Sequence, residues 1–253
     1  GAVGRDELLA SEMASYHSEG TCTFYSTANS NQMLMEIMGL QLPGSSFVNP
    51  QHPLRPLLTA YAAHRMAELT ALSPGFMPVG QLVDERTMVN AVVGLMATGG
   101  STNHSIHLIA IARMAGIILT WQDMADLSDI VPLLARVYPN GKADINAFQQ
   151  AGGMPFLIRE LSQAGLLHTD VNTIMGKGLE AYCQEPFLNA EGRLDWRPAV
   201  SESLDLSVLA PAHAPFLREG GMKLLKGNLG HAMMKVSAVP DDRWVVEAPA
   251  RVF

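Results

Sequence analysis

One of the two cysteines of the chain, Cys22, lies in a segment rich in hydroxyl and amide side chains. Residues 20–32 read Gly-Thr-Cys-Thr-Phe-Tyr-Ser-Thr-Ala-Asn-Ser-Asn-Gln and lead into an apolar helical pattern. Cysteine usually prefers burial among apolar side chains. Here the polar donors and the N-terminus of the following helix would stabilise a thiolate. Cys22 is therefore predicted to be a metal ligand or a nucleophile; the alternative is an inert cysteine that fills space.

A second candidate site is the turn Gly-Gly-Ser-Thr-Asn-His at residues 99–104, between two apolar helical patterns. The two glycines allow a ligand to approach the backbone, and the polar side chains lie beside the N–H groups of a helix start. We predict that this turn binds an anionic substrate group through Ser101, Thr102, Asn103 and His104. A capped helix after a flexible turn explains the pattern equally well, because the turn is neither a Walker loop nor a dinucleotide fingerprint.

A third segment bracketed by glycines, residues 220–230, reads Gly-Gly-Met-Lys-Leu-Leu-Lys-Gly-Asn-Leu-Gly. The glycines on both sides of a short apolar run, with Asn228 in a tight turn, favour a β-hairpin. Lys223 and Lys226 could face an acidic substrate, although solvated lysines are the ordinary case. The other cysteine, Cys183, falls in a pattern typical of an amphipathic helix, which predicts a packing role.

The composition describes a globular chain of one or two domains. It has 253 residues, of which 48% are hydrophobic and 16% charged, with a net charge of -7. The modest acidity and the scattered 17 Lys and Arg residues argue against general binding to nucleic acid. No apolar run is long enough to cross a bilayer, and two cysteines suit a reducing compartment. We therefore expect a cytoplasmic protein without nucleic-acid or membrane partners.

The elements that must position these residues are mostly helical up to about residue 185, and short strands follow after residue 200. Helices are predicted at about residues 5–16, 27–38, 57–72, 84–96, 101–115, 121–128, 144–151, 154–164 and 173–184. Strands are predicted at residues 117–119, 133–138, 204–209, 222–225, 232–236 and 244–246. A polar link around residues 189–198 places the boundary between two domains near residue 190.

In this order the segments resemble the dehydratase family that acts on dihydroxy acids and 6-phosphogluconate. The resemblance covers nearly the whole chain and rests on residues 20–29, 39–46, 97–104 and 221–229. In the dihydroxy-acid branch the stretch after the cysteine looks more like Gly-Gly-Met-Tyr, and alanine commonly replaces His104. Thr23-Phe24-Tyr25 and His104 therefore favour the 6-phosphogluconate branch.

The resemblance implies an iron-sulfur hydro-lyase that converts 6-phosphogluconate into 2-keto-3-deoxy-6-phosphogluconate in the Entner-Doudoroff pathway. Cys22 matches a cluster ligand of the family, and the sugar-phosphate branch favours a [4Fe-4S] cluster. The family's other cluster cysteines would precede Gly1 and its serine base would follow Phe253. Since the sequence lacks an initiator methionine and ends in an apolar run, we expect an inactive central fragment of an enzyme that is a homodimer at full length.

The fold class implied by the resemblance is α/β, with the active site between two domains. Residues 1–190 would form part of an N-terminal cluster-binding domain, a three-layer parallel sheet with flanking helices. Residues 191–253 would supply a linker and the first strands of a β-barrel-like swivelling domain.

Three other functions remain open from the residues alone. A dihydroxy-acid dehydratase of branched-chain amino acid synthesis would share the chemistry but use a substrate without phosphate. A non-catalytic module binding sugar phosphates or nucleotides would need the Gly-Gly-Ser-Thr turn and not Cys22. A helical scaffold or oligomerisation domain would need only the apolar helices.

Overall fold

The computed structural model describes residues 3–14, 22, 25–249 and 251. In this part the helices are α1 (Arg5–Met13), α2 (Thr27–Ile37), α3 (Leu54–Glu68), α4 (Val79–Leu82), α5 (Glu85–Thr98), α6 (His104–Met114), α7 (Trp121–Ser128), α8 (Ile145–Ala151) and α9 (Gly153–Gln163). The strands are β1 (Asn172–Thr173), β2 (Gly176–Lys177), β3 (Gln184–Leu188), β4 (Leu194–Pro198), β5 (Lys223–Gly227) and β6 (Gly230–Met234). Short 3-10 turns occur at Glu180–Cys183, Val236–Ala238 and Asp241–Arg243.

Helix α5 is the central element, and its ends follow from local chemistry. The Asp84 carboxylate accepts the Thr87 N–H at 2.9 Å, and the Thr87 hydroxyl accepts the Asp84 N–H at 2.8 Å, a reciprocal capping box. Gly99 ends the helix with φ 57°, a left-handed conformation that favours glycine. Nearly all residues from Thr87 to Thr98 are buried, because α2, α6 and α7 pack around the helix.

Helices α2 and α5 lie in close contact. Gly94 presents no side chain to Met33 and Ile37, and a Cβ there would lie 2.9 Å from atoms of both. Gly39, with φ 74°, follows the end of α2, as the sequence predicts. The close packing holds the second half of α2 against the middle of α5.

All paired strands of the described residues form antiparallel two-stranded sheets: β1 with β2, β3 with β4, and β5 with β6. Helices and strands are thus mixed, as an α/β class requires, and the predicted hairpin near residues 222–236 is confirmed. The predicted strand at residues 117–119 is wrong, because this extended run has no strand partner in the described part of the chain. Residues 133–138 form only isolated bridges, from Leu133 to Leu217, from Ala135 to Leu209 and from Val137 to Ala143.

The predicted helix at residues 173–184 is also wrong. Gly176 and Gly178 adopt φ values of 122° and 99°, which a helix cannot contain, and they turn the chain into the β1–β2 hairpin. Residues 204–209 form a turn and residues 244–246 are exposed without strand pairing, so these two predicted strands are wrong as well. The other predicted helices match α1 to α3 and α5 to α9, with ends shifted by a few residues. Tyr16, assigned to the first helix, lies outside the described residues.

Two groups of buried apolar residues stabilise the described part of the chain. The larger lies among α2, α5, α8 and α9 and also takes in Leu209 and Met222 from beyond the predicted boundary. The smaller surrounds Leu58, Leu82 and Ile174. Burial of this kind contributes about 25 cal/mol per Å² of apolar surface.

The β3–β4 hairpin spans the predicted domain boundary and contacts the loop after α2. The Trp196 indole N–H donates to the Pro43 carbonyl at 3.2 Å, and its ring meets Tyr61 of α3 at a centroid distance of 4.9 Å. Pro186 lies so close to Gly44 that a Cβ on that glycine would overlap it. The loop is therefore held from outside by the hairpin. The boundary near residue 190 stays a prediction.

Within the described residues, every helix is too short or too polar to cross a membrane.

Candidate functional site

Residues 27–30 and the turn at residues 99–104 lie together at the start of α2 and α6. The Thr27 and Ser101 hydroxyls are 3.0 Å apart, and the Ser101 N–H donates to the Ser30 hydroxyl at 2.9 Å. The Asn103 amide donates to the Thr27 hydroxyl at 2.8 Å. Two of the predicted motifs thus form one region, although more than seventy residues separate them in the chain.

Hydrogen bonds inside this region occupy most donors of the turn. The Asn103 N–H donates to the Ser101 hydroxyl at 3.2 Å, and the His104 N–H donates to the Ser101 carbonyl at 3.1 Å. Ser101 is buried, Thr102 is half-buried and Asn103 is exposed. The groups that a ligand can reach are therefore Thr102 and the outer side of Asn103, while Ser101 links the two helices.

His104 lies behind the turn and is 1% exposed. Burial, with a smaller contribution from the neighbouring His107, lowers the pKa of His104 to about 4. The imidazole is therefore neutral near pH 7. Its Nδ1 atom is buried and has no hydrogen-bond partner among the described residues. A neutral imidazole can donate or accept a hydrogen bond but does not offer a positive charge to an anion.

The third motif packs against the first glycine of the turn. A Cβ on Gly221 would lie 2.6 Å from the Gly99 Cα, so only glycine permits this approach. The Asn140 amide donates to the Gly99 carbonyl at 2.8 Å and accepts from the Ser237 hydroxyl at 2.7 Å. Residues from four distant parts of the sequence therefore meet at the end of α5.

Cys22 is exposed and lines a cavity of about 240 Å³ that we name the polar pocket. Its walls come from Cys22, from α2, from the loop before α3 and from the starts of α3 and α8. The lining residues are Cys22, Asn29, Gln32, Ser46, Phe47, Val48, Asn49, Pro50, Arg55, Ile145 and Asn146. Four of them carry amides, and Arg55 is the charged residue of the set.

A buried carboxylate, Glu36, shapes the wall that Ser46 contributes to the polar pocket. It accepts the Gly44 N–H at 2.6 Å, the Ser46 N–H at 3.0 Å and the Ser46 hydroxyl. Burial raises the pKa of Glu36 to about 7, against the lowering effect of these hydrogen bonds. Glu36 thus fixes the loop that follows α2.

The described residues fit an iron-sulfur cluster only as the source of one ligand. Cys22 presents an exposed thiol beside the polar pocket, as a thiolate ligand requires. The thiol of Cys183 lies against the Leu179 carbonyl at 3.8 Å, and burial raises its pKa, which suits packing. No group of three His, Cys, Asp or Glu side chains suited to a metal occurs in the described ranges. Any further ligands would have to come from elsewhere.

Sequence reasoning missed several residues of this region. Arg55, Asn49 and Asn146 line the polar pocket, and Glu36 holds its loop. Lys235 lies half-buried with its ammonium 3.4 Å from the Tyr25 carbonyl, and burial lowers its pKa to about 8. Each had an ordinary helical or loop context. The neighbouring loop at residues 39–46 carries part of the family resemblance but no residue pattern that indicates chemistry.

Comparison with known families places this geometry in context. Residues 1–182 match the family model described as dihydroxy-acid/6-phosphogluconate dehydratase N-terminal, and residues 207–253 match the corresponding C-terminal model. The chain belongs to the dihydroxy-acid/6-phosphogluconate dehydratase family.

Individual relatives cover the whole chain. It is 60% identical to a phosphogluconate dehydratase of Pseudomonas aeruginosa and 59% identical to one of Escherichia coli K12, with 100% of this chain aligned. It is 33% identical to a dihydroxy-acid dehydratase of Caldanaerobacter subterraneus, again over 100% of the chain. The chain spans 41%, 42% and 43% of these three relatives.

Proposed function

We propose that this chain is part of an iron-sulfur hydro-lyase that dehydrates 6-phosphogluconate to 2-keto-3-deoxy-6-phosphogluconate in the Entner-Doudoroff pathway. The observation that carries the proposal is the meeting of the predicted motifs: the segment of Cys22, the turn at residues 99–104 and the glycines near residue 221 converge at one end of α5. Relatives named phosphogluconate dehydratase are 60% and 59% identical, against 33% for the dihydroxy-acid dehydratase, which supports the sugar-phosphate substrate.

In this proposal Cys22 is one ligand of a [4Fe-4S] cluster. When bound, such a cluster supplies a Lewis acid for the substrate carboxylate and for the hydroxyl that leaves. The chain itself holds the Cys22 segment: the Asn29 amide donates to the Cys22 carbonyl at 3.4 Å, and Tyr25 donates through its hydroxyl to Thr98 at 2.9 Å. The first bond ties the backbone of Cys22 to α2, and the second ties Tyr25 to the end of α5.

Substrate contacts are proposed for Ser101, Thr102, Asn103 and His104. Thr102 and Asn103 would touch the substrate, because they are accessible. Ser101 and the neutral His104 would position them from behind. The catalytic base is proposed to lie in a part of the protein outside this chain, so that the chain alone is inactive.

The finer features of the fold belong to the same proposal. In the complete protein, residues 1–190 would join a three-layer parallel sheet with flanking helices, and residues 191–253 would begin a β-barrel-like swivelling domain. We propose a cytoplasmic homodimer whose partners are small sugar-acid phosphates and not nucleic acids or membranes. The lack of any cationic stripe in the sequence supports the last point.

The test is Cys22→Ser in the full-length protein, with Cys183→Ser as the matched control. We expect the first variant to lose bound iron and the dehydration of 6-phosphogluconate, since serine is a poor cluster ligand. The control should keep its iron and its activity, because the Cys183 thiol lies against the Leu179 carbonyl. Iron analysis, visible absorbance and an assay of the keto product measure the outcome. Undiminished iron and turnover in Cys22→Ser would overturn the proposal.

A further inference from the structure

The charges around the polar pocket favour an anionic ligand. Arg55 lines it, and no acidic side chain is among its described lining residues. Arg55 forms no salt bridge with any residue that the structure describes, although eight ion pairs of other Arg or Lys residues with Asp or Glu occur among the same residues. A guanidinium without a carboxylate, in a concave site, is suited to a phosphate or carboxylate oxygen.

Arg55 is also held in place for this role. Its guanidinium donates to the Val48 carbonyl, which belongs to the pocket wall. The side chain is half-buried, and burial lowers its pKa from the ordinary value, although arginine remains charged. A ligand anion would relieve this cost of desolvation. Because one N–H is tied to the backbone, the remaining donors of the planar group have a restricted direction.

The other polar groups of the pocket suit hydroxyls. The Asn49 amide donates to the Asn146 carboxamide oxygen at 3.3 Å, so two amides from distant segments lie together. Ser46 adds a hydroxyl that Glu36 fixes. Carboxamides and hydroxyls both donate and accept hydrogen bonds, so they can pair with the successive hydroxyl groups of a sugar acid.

We propose that the polar pocket binds the phosphate-bearing end of the sugar acid, with Arg55 on the phosphate and the amides of Asn49 and Asn146 on the neighbouring hydroxyls. The inference rests on the proposed function, which gives the carboxylate end to the cluster at Cys22. The phosphate is the other anionic group of that substrate, and Arg55 is the cation that lines the pocket. Arg55 would then be the residue that distinguishes a phosphorylated sugar acid from an unphosphorylated one.

A first experiment changes the charge of the pocket with little change in shape. Gln32 is exposed and lines the pocket, so Gln32→Glu adds a negative charge there. Asn31→Asp adds the same charge at the adjacent exposed position of α2, which does not line the pocket, and is the matched control. Calorimetric titration of the full-length protein with 6-phosphogluconate should show roughly tenfold weaker binding for Gln32→Glu. The control should bind like the parent protein.

A second experiment replaces the cation itself. Arg55→Lys keeps the charge and Arg55→Met removes it, and thermal unfolding of both variants shows whether the fold survives the loss of the bond to Val48. We expect Arg55→Met to weaken binding of 6-phosphogluconate by roughly 10- to 100-fold and to leave binding of gluconate unchanged, because a charged hydrogen bond is lost only for the phosphorylated acid. Arg55→Lys should bind 6-phosphogluconate more weakly than the parent protein and more tightly than Arg55→Met.

The outcomes separate this inference from the proposed function. If the parent enzyme dehydrates 6-phosphogluconate but Gln32→Glu and both Arg55 variants bind it normally, the pocket assignment is wrong and the function stands. If the variants weaken binding but the parent protein shows no turnover, the function is wrong and the pocket assignment stands. If Arg55→Met weakens gluconate and 6-phosphogluconate equally, Arg55 binds the carboxylate, which also overturns the assignment.

Discussion

The turn at residues 99–104 and the polar pocket both contain many hydrogen-bonding groups, but they use them differently. In the turn, Ser101 and Asn103 bond to α2 and to each other, so most donors are already occupied. In the pocket, Arg55 and Gln32 line a cavity of about 240 Å³, and neither is paired with an acidic side chain of the described residues. A polar sequence motif can therefore serve mainly to join two helices, while the groups that remain open to a cavity lie beside it.

The largest effect is expected for Gly221→Ala, at the contact between Gly221 and the turn at residues 99–104. A Cβ would lie 2.6 Å from the Gly99 Cα, and backbone atoms cannot rotate away as a side chain can. We expect a loss of about 3 kcal/mol in the free energy of unfolding, the upper range for overpacking. Urea denaturation measures it. Gly227→Ala, in the same motif with open space around it, is the control and should change little. Equal stability of the two variants would show that the contact is not tight.

Next to the polar pocket lies a buried titratable group, Glu36. Its pKa is raised by burial to about 7 in the folded state, so stability is full below the unfolded pKa of about 4.5 and falls as pH rises through 7. The expected fall is about 3 kcal/mol between pH 4.5 and 8. In Glu36→Gln this slope should vanish. Denaturant midpoints over the pH range provide the measurement, and an unchanged slope in the variant would assign the effect to another group.

At the turn, His104 should make the free energy of unfolding change with pH in the opposite direction. Its pKa falls to about 4 in the folded state, so stability is full above the unfolded pKa of about 6.5 and is lost as pH falls toward 4. We expect a loss of about 3 kcal/mol, similar to that for Glu36, because burial shifts the two pKa values by about the same amount. His104→Gln should remove this loss. A slope that persists in His104→Gln contradicts the assignment.

The smallest expected effect concerns the exposed part of the turn. Asn103→Ala in the full-length enzyme should raise the KM for 6-phosphogluconate by about threefold to tenfold, the value of one hydrogen bond, and leave the iron content unchanged. Asn31→Ala on α2 serves as the control. A KM equal to that of the parent would show that Asn103 does not contact the substrate and that the turn has only a structural role.

The helices could be predicted because their signals are local. Asp84 begins α5 and Gly99 ends it, as caps and left-handed glycines do in any protein. Strands are harder to predict, because their pairing is decided by distant residues. Residues 117–119 have the composition of a strand but find no strand partner in the part of the chain that the structure describes. Gly176 and Gly178 ended a helical pattern that was otherwise regular.

The candidate site was predictable to the same extent. Cys22 and the turn could be found because unusual residue types stand side by side in the sequence. Arg55 and Asn146 could not, because each has an ordinary context and only folding brings them to one cavity. Glu36 looked like any surface carboxylate of an amphipathic helix, and its burial depends on the loop that closes over it.

The β3–β4 hairpin packs against the loop after α2 and restrains its position. Trp196 holds Pro43 and Pro186 abuts Gly44, two residues before Ser46 enters the pocket wall. The hairpin also forms the passage from the helical part of the chain to the residues that carry β5 and β6. A displacement of this hairpin would move the loop that contributes Ser46 and would therefore change the width of the cavity beside Cys22.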